Sequence, residues 1–169
     1  VSFGAFIAPA VSTTPAVEYF HAGFGHYFVT ADPAEIAGLD AGAYGGAWAR
    51  TGLSFEVWDV PNPSSSPVCR FFSAAFAPKS THFYTPFASE CEIVKADSHW
   101  QYESIAFELQ IPVGYGTGSG QCPPGTAALY RLYNNFMGGA PNHRYTDSLT
   151  VVNTMIAAGW SFEGEASTK

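Results

Sequence analysis

The chain is short of charge. In 169 residues there are 7 Lys and Arg against 14 Asp and Glu, a charged share of 12%, about half the usual fraction. The net charge of −7 argues against nucleic acid and anionic membrane surfaces as partners. No apolar run approaches the ~20 residues of a spanning helix, so no membrane span is expected. The three cysteines, Cys69, Cys91 and Cys122, lie 22 and 31 residues apart, which fits no zinc pattern. Gly-x-Ser-x-Gly, His-Glu-x-x-His and the phosphate-loop signature are all missing, which argues against the common hydrolases and nucleotide enzymes. Neither metal nor cofactor is expected.

Aromatic residues, at 16%, are plentiful, as are Gly (17) and Pro (12), while Lys is rare. Such a chain is not disordered, and its length suits one domain with a sizeable core. The composition and the cysteines fit an extracellular or cell-surface location, with the periplasm as an alternative. Three cysteines allow one disulfide and one leftover thiol. Cys91–Cys122 is the favoured pairing, because Cys91 falls on the core face of a helix and Cys122 lies in a loop that needs anchoring. Cys69–Cys91 is the alternative. Val1 to Ala10 is apolar but lacks the basic flank of a signal peptide.

The sequence repeats itself three times, over residues 17–58, 68–110 and 129–165. Each copy opens on a short strand: Val17-Glu18-Tyr19-Phe20-His21, Val68-Cys69-Arg70-Phe71-Phe72 and Leu129-Tyr130-Arg131-Leu132-Tyr133. A second strand ends in Thr: Tyr27-Phe28-Val29-Thr30, His82-Phe83-Tyr84-Thr85 and His143-Arg144-Tyr145-Thr146. Helices are expected next, at 32–41, 86–97 and 147–158. Asp32 and Pro33 form an N-terminal start, with Glu35 in capping-box position. A Trp follows each helix (Trp48, Trp100, Trp160), and copies one and two continue into a third strand. The Pro/Gly/Ser-rich stretches 61–67 and 114–125 read as linkers. The expected fold is α+β: three strand–strand–helix–strand units about a pseudo-threefold axis, with short antiparallel strands.

These motifs carry a resemblance. Tyr130-Arg131-Leu132-Tyr133-Asn134, His82-Phe83-Tyr84-Thr85 and Gly159-Trp160-Ser161-Phe162-Glu163-Gly164 together resemble a bacterial repeat family of unknown function. The resemblance covers roughly residues 17 to 165. It implies an exported module, often attached to secreted enzymes, and implies no reaction. Copy one departs from the pattern, with Tyr27 where His82 and His143 stand.

Candidate functional residues follow from the alignment of the copies. Arg70 and Arg131 are equivalent, as are Glu103 and Glu163, while copy one has Tyr19 and Thr51 at those places. Arg70–Glu103 and Arg131–Glu163 are therefore expected as structural ion pairs. Phe24, Phe76 and Phe136 recur between the first two strands, and a threefold axis would gather them at one end. With Asn134, Asn135, His82 and His143 they make a candidate ligand site. The function expected first is a non-catalytic extracellular binding module, with carbohydrate as one ligand class. The alternative is a structural subunit of an extracellular filament or surface assembly, its partner another copy of itself. A secreted hydrolase is a third reading. In the second, residues 1–16 form an arm apart from the 17–169 domain. Its apolar start, with Val1, Phe3, Ala5 and Ile7, supplies the strand that copy three lacks, in cis or to a neighbour.

Overall fold

A computed structural model describes residues 12–117 and 120–164. The order along the chain is β1 (Thr13–His21), β2 (His26–Thr30), α1 (Pro33–Asp40), β3 (Trp48–Trp58), β4 (Ser66–Ser73), β5 (Thr81–Thr85), α2 (Ala88–Ala96), β6 (Gln101–Leu109), β7 (Tyr130–Tyr133), β8 (His143–Thr146), α3 (Leu149–Ala157) and β9 (Ser161–Phe162). The class is α+β, with nine strands in two antiparallel sheets and three helices among the described residues. The larger sheet runs β2-β1-β3-β6-β4-β5 and the smaller β8-β7-β9. In each group of three the chain's first strand lies between its second and third. The two groups of the larger sheet join only where Trp58 pairs with Glu108.

The Thr that closes each second strand has a local task. Thr30, Thr85 and Thr146 each accept the N–H two residues on through Oγ1, from Asp32, Phe87 and Ser148 at 3.1, 3.1 and 3.2 Å. This hydroxyl turn stops strand pairing and aims the chain into the helix. Asp32 caps α1 by accepting from Ala34 and Glu35, as expected. Glu35 does not complete a capping box, because its carboxylate goes to Arg70 instead. Ser148 caps α3, and α2 has no side-chain cap.

Strand register corrects the alignment of copy one by a residue. Glu18 lies opposite Val29, as Arg70 lies opposite Tyr84 and Arg131 opposite Tyr145. Glu18, not Tyr19, is therefore the counterpart of the two arginines. Tyr19 instead shares the fully buried position of Phe71 and Leu132. The pairing with β3 is irregular between Val17 and Tyr19, as that of β4 with β6 is between Arg70 and Phe71.

The central core gathers Phe28, Val29, Phe55, Val57, Val68, Tyr84 and Phe107, between the first two groups of strands. Cys69, Phe71, Phe83 and Cys91 form a second cluster under α2. Within it Cys69 and Cys91 are joined, their Cα atoms 6.0 Å apart, and Cys122 is free and exposed. This corrects the Cys91–Cys122 expectation. Both faces of β4 are buried: Val68 enters the central core, while Cys69 and Phe71 face α2, where Cys91 is the buried residue. The arm strand expected at Val1, Phe3, Ala5 and Ile7 lies outside the described residues. No described helix is long and apolar enough to cross a membrane.

Candidate functional site

The expected ion pairs are parts of larger clusters between neighbouring groups of strands. Arg70 Nε donates to Glu103 at 2.6 Å, and its two terminal nitrogens donate to Glu35 on α1 at 2.8 and 2.9 Å. Arg131 repeats the arrangement, with Nε 2.9 Å from Glu163 and its fork on Glu90 of α2 at 2.8 and 3.0 Å. His82 Nε2 stands 3.4 Å from Glu103, and His143 Nε2 stands 3.2 Å from Glu163. Each arginine also lies over a Phe of the preceding group, Phe28 or Phe83. Burial alone would raise the Glu103 carboxyl, but hydrogen bonds from His82 and Arg70 outweigh it and hold the pKa at about 2. Glu163 is lowered in the same way, burial being outweighed by His143 and Arg131.

The third junction exchanges the charges. Glu18 occupies the arginine position, and Arg144 on β8 stands where Phe28 and Phe83 stand. Arg144 donates to Glu18 through Nε and a terminal nitrogen at 2.9 and 2.8 Å, and both side chains are almost wholly buried. Thr51, in place of the Glu, donates to Glu18 at 2.8 Å. Val151 replaces the helix Glu. Four substitutions thus change together, and a closed charge balance remains.

Tyrosines stitch the same junctions. Tyr84 O–H donates to the Val29 carbonyl at 2.6 Å, and Tyr145 O–H donates to the Tyr84 carbonyl at 2.9 Å. Burial raises both phenols far above their ordinary range, so they stay protonated donors.

Two of the three loop aromatics meet, the Phe76 and Phe136 rings being 5.5 Å apart, while the Phe24 ring stacks on His21 at 3.7 Å. Lys79 Nζ donates to the Phe24 carbonyl at 2.9 Å and stands 2.6 Å from where a Cβ on Gly138 would lie. The polar residues expected beside them are not open to a ligand. Asn134 is buried: its side-chain Nδ2 donates to the Ala140 carbonyl, and its Oδ1 accepts from the Phe136 and Asn142 backbone N–H groups. Asn135 is exposed but joins Gly159 and Ser161. His82 and His143 lie in the charged clusters, 4.6 and 4.8 Å from the Phe28 and Phe83 rings. Asn134, His82 and His143 therefore act as internal supports rather than ligand contacts: the Asn134 side chain closes its own loop, and Nε2 of each histidine faces the Glu of its charged cluster.

A cavity of about 470 Å³ lies elsewhere, beside the helix-side ends of β5 and β8 rather than at the Phe loops. Its walls are Phe55, Val57 and Trp58 from β3, Phe107 and Leu109 from β6, and Tyr84, Tyr145 and Phe162. The connection 110–129 adds Tyr115, Cys122 and Leu129. Tyr84 and Phe107 stack with centroids 6.1 Å apart, and Phe87 and Tyr115 stack at 4.5 Å. On β3 the inward Phe55 and Val57 alternate with exposed Ser54 and Glu56, so that part of the apolar wall follows from strand period; on β6 Glu108, between Phe107 and Leu109, is buried as well. Sequence reasoning missed this cavity. Its one available signal was the inward pairs Phe55/Val57 and Phe107/Leu109, which recur in the third strands of copies one and two. No group of His, Cys, Asp and Glu fit to hold a metal occurs among the described residues.

A family model described as a domain of unknown function (DUF5648) matches residues 3–110 and again 114–169, and the chain belongs to that family. No curated protein and no solved structure matches it.

Proposed function

We propose that this member of the DUF5648 family is a non-catalytic binding module of the cell exterior, built from three equivalent units about a pseudo-threefold axis. The strand order second–first–third, found three times, supports the three units. So does the tyrosine ladder from Tyr145 to Tyr84 to Val29. The buried Cys69–Cys91 bridge supports an oxidising location.

One observation carries the functional reading: the aromatic cavity has the size of a small-molecule site, ~300–1,000 Å³. Its ligand has an apolar body, packed between Phe55, Phe107 and Tyr84. The hydroxyls of Tyr84 and Tyr145 are already used inside the fold, and Arg131 is held by Glu90 and Glu163. A binding role accounts for these fixed groups better than catalysis, which needs a nucleophile within reach of a base. The loop site for carbohydrate is the weaker reading, since Asn134 is buried and the Asn135 amide is already bonded to Gly159 and Ser161.

The test is calorimetric titration with phenylbutanol. Saturable one-to-one binding that weakens at least ~10-fold in Leu129→Trp, and is unchanged in Phe136→Ala, supports the reading. Loss of binding in Phe136→Ala alone would move the site to the loops.

A second reading is a subunit of an extracellular assembly, joined by N-terminal strand donation. Thr13, the first residue of β1, lines the cavity. Deleting residues 1–10 separates the two readings by sedimentation velocity. Dissociation of a polymer supports assembly, and an unchanged monomer removes it.

A further inference from the structure

We infer that the cavity selects small organic cations: ligands with an apolar, drug-sized body and one positive charge. This rests on the cavity being the binding site. Four charged side chains line it: Glu56, Arg131, Asp147 and Glu163. Arg131 is the one cation among them. Its guanidinium donates twice to Glu90 and lies 2.9 Å from Glu163, so its charge is already matched by two carboxylates. An anionic ligand would have to displace one of those carboxylates.

Asp147 is different. It follows Thr146 at the end of β8 and is exposed. Ser148 has taken the helix-capping role, and Asp147 has no partner among the described residues. Glu56, a second acidic residue without a described partner, also borders the cavity; lying between the inward Phe55 and Val57, it is exposed on the other face of β3 and adds charge at longer range. The cavity surface thus carries uncompensated negative charge in a chain whose net charge is −7.

The walls agree with this sign. Trp58, Tyr84, Phe87, Phe107, Tyr115 and Tyr130 present aromatic rings, whose faces are electron-rich and attract cations when water is excluded. An apolar body fills the interior, and the charged head lies between ring faces and the Asp147 carboxylate. Electrostatic focusing by low-dielectric walls strengthens the preference.

The experiment titrates three probes that share one apolar body: phenylbutylamine, phenylbutanol and phenylbutyrate. At low ionic strength the amine should bind about 10-fold tighter than the alcohol, and the acid weaker than both. Asp147→Asn, measured with the Glu56→Gln variant and their combination, should abolish the advantage of the amine while leaving the alcohol's affinity unchanged. Raised salt should reduce the amine's advantage and not the alcohol's binding. Equal affinities for amine and alcohol, or a preference for the acid, would overturn the inference and leave the cavity reading intact. An amine advantage that survives the double variant would also overturn it. No binding by any of the three would overturn both. Near-ultraviolet circular dichroism checks that each variant is folded.

Discussion

Replacing Arg70 by Ala should destabilise the protein by ~2–4 kcal/mol, between the ~3–5 kcal/mol of a broken buried pair and the ~0–1 kcal/mol of a surface pair. The position on that scale comes from the structure. The Arg70 side chain is 16% exposed, Glu35 23% and Glu103 28%. All three charges lie mostly out of water, and the substitution leaves two carboxylates facing each other without a cation. It also uncovers the Phe28 ring. For a domain of this size, ~2–4 °C per kcal/mol gives a Tm fall of about 4–16 °C. The assay is urea unfolding followed by tryptophan fluorescence, with Tm as a second measure. Arg70→Lys should recover less than half, because a point charge cannot serve Glu35 and Glu103 as the planar fork does. Adding Glu35→Gln and Glu103→Gln to Arg70→Met should recover most of the loss, since no buried charge is then orphaned. A loss under ~1 kcal/mol for Arg70→Ala, or full recovery with Lys, would refute the claim that this cluster holds neighbouring groups together.

Glu18→Gln should cost more, about 3–5 kcal/mol, because Arg144 and Glu18 are 9% and 2% exposed and Arg144 would be left charged inside the core. Unfolding in urea checks it. Reducing or removing the Cys69–Cys91 bridge, which closes a separation of 22 residues, should lower stability by about 3 kcal/mol. Cys122→Ser should change nothing. Non-reducing peptide mapping should link Cys69 to Cys91 and find Cys122 alkylated in the native protein. Stability should also fall with acid in two stages. His26 is fully buried, and burial lowers its imidazole below the ordinary value, so its neutral form is favoured in the fold and stability declines as pH drops below about 6.5. Glu103 is held at about 2, so its contribution is complete above about 4.5 and is lost as pH falls toward 2. Unfolding free energies measured from pH 8 down to pH 3 test both; Glu103→Gln should flatten the lower stage.

The repeats made much of the fold legible. Strand, strand, helix and strand were readable because Thr, Trp and the aromatic pairs recur at fixed offsets, and Arg70 and Glu103 disappear together in copy one. The register of copy one was not readable. Val17-Glu18-Tyr19 aligns equally well with its partners at two offsets, and what decides between them is the register of β1 on β2, which puts Glu18 opposite Val29. The disulfide was ambiguous for a related reason: with both faces of β4 buried, alternation does not say which side Cys69 occupies. The inter-group partners Glu35 and Glu90 stand at equivalent helix positions, so the signal was present, but an alignment of copies shows what is equivalent and not what touches. Asn134 looked like a ligand group because it is polar and follows a strand, whereas its side chain closes the very loop that carries Phe136. The cavity needed three distant segments to meet, which no local pattern encodes.

The central claim is that ligands enter the aromatic cavity and not the loop end. Methyl NMR during titration with phenylbutylamine tests it directly, using the methyls of Val57, Val68, Leu109 and Leu129 in the cavity wall and that of Met137 beside Phe136 as the control. Saturable shifts are expected in the four wall residues and none at Met137. Shifts at Met137 with the cavity methyls unmoved would contradict it.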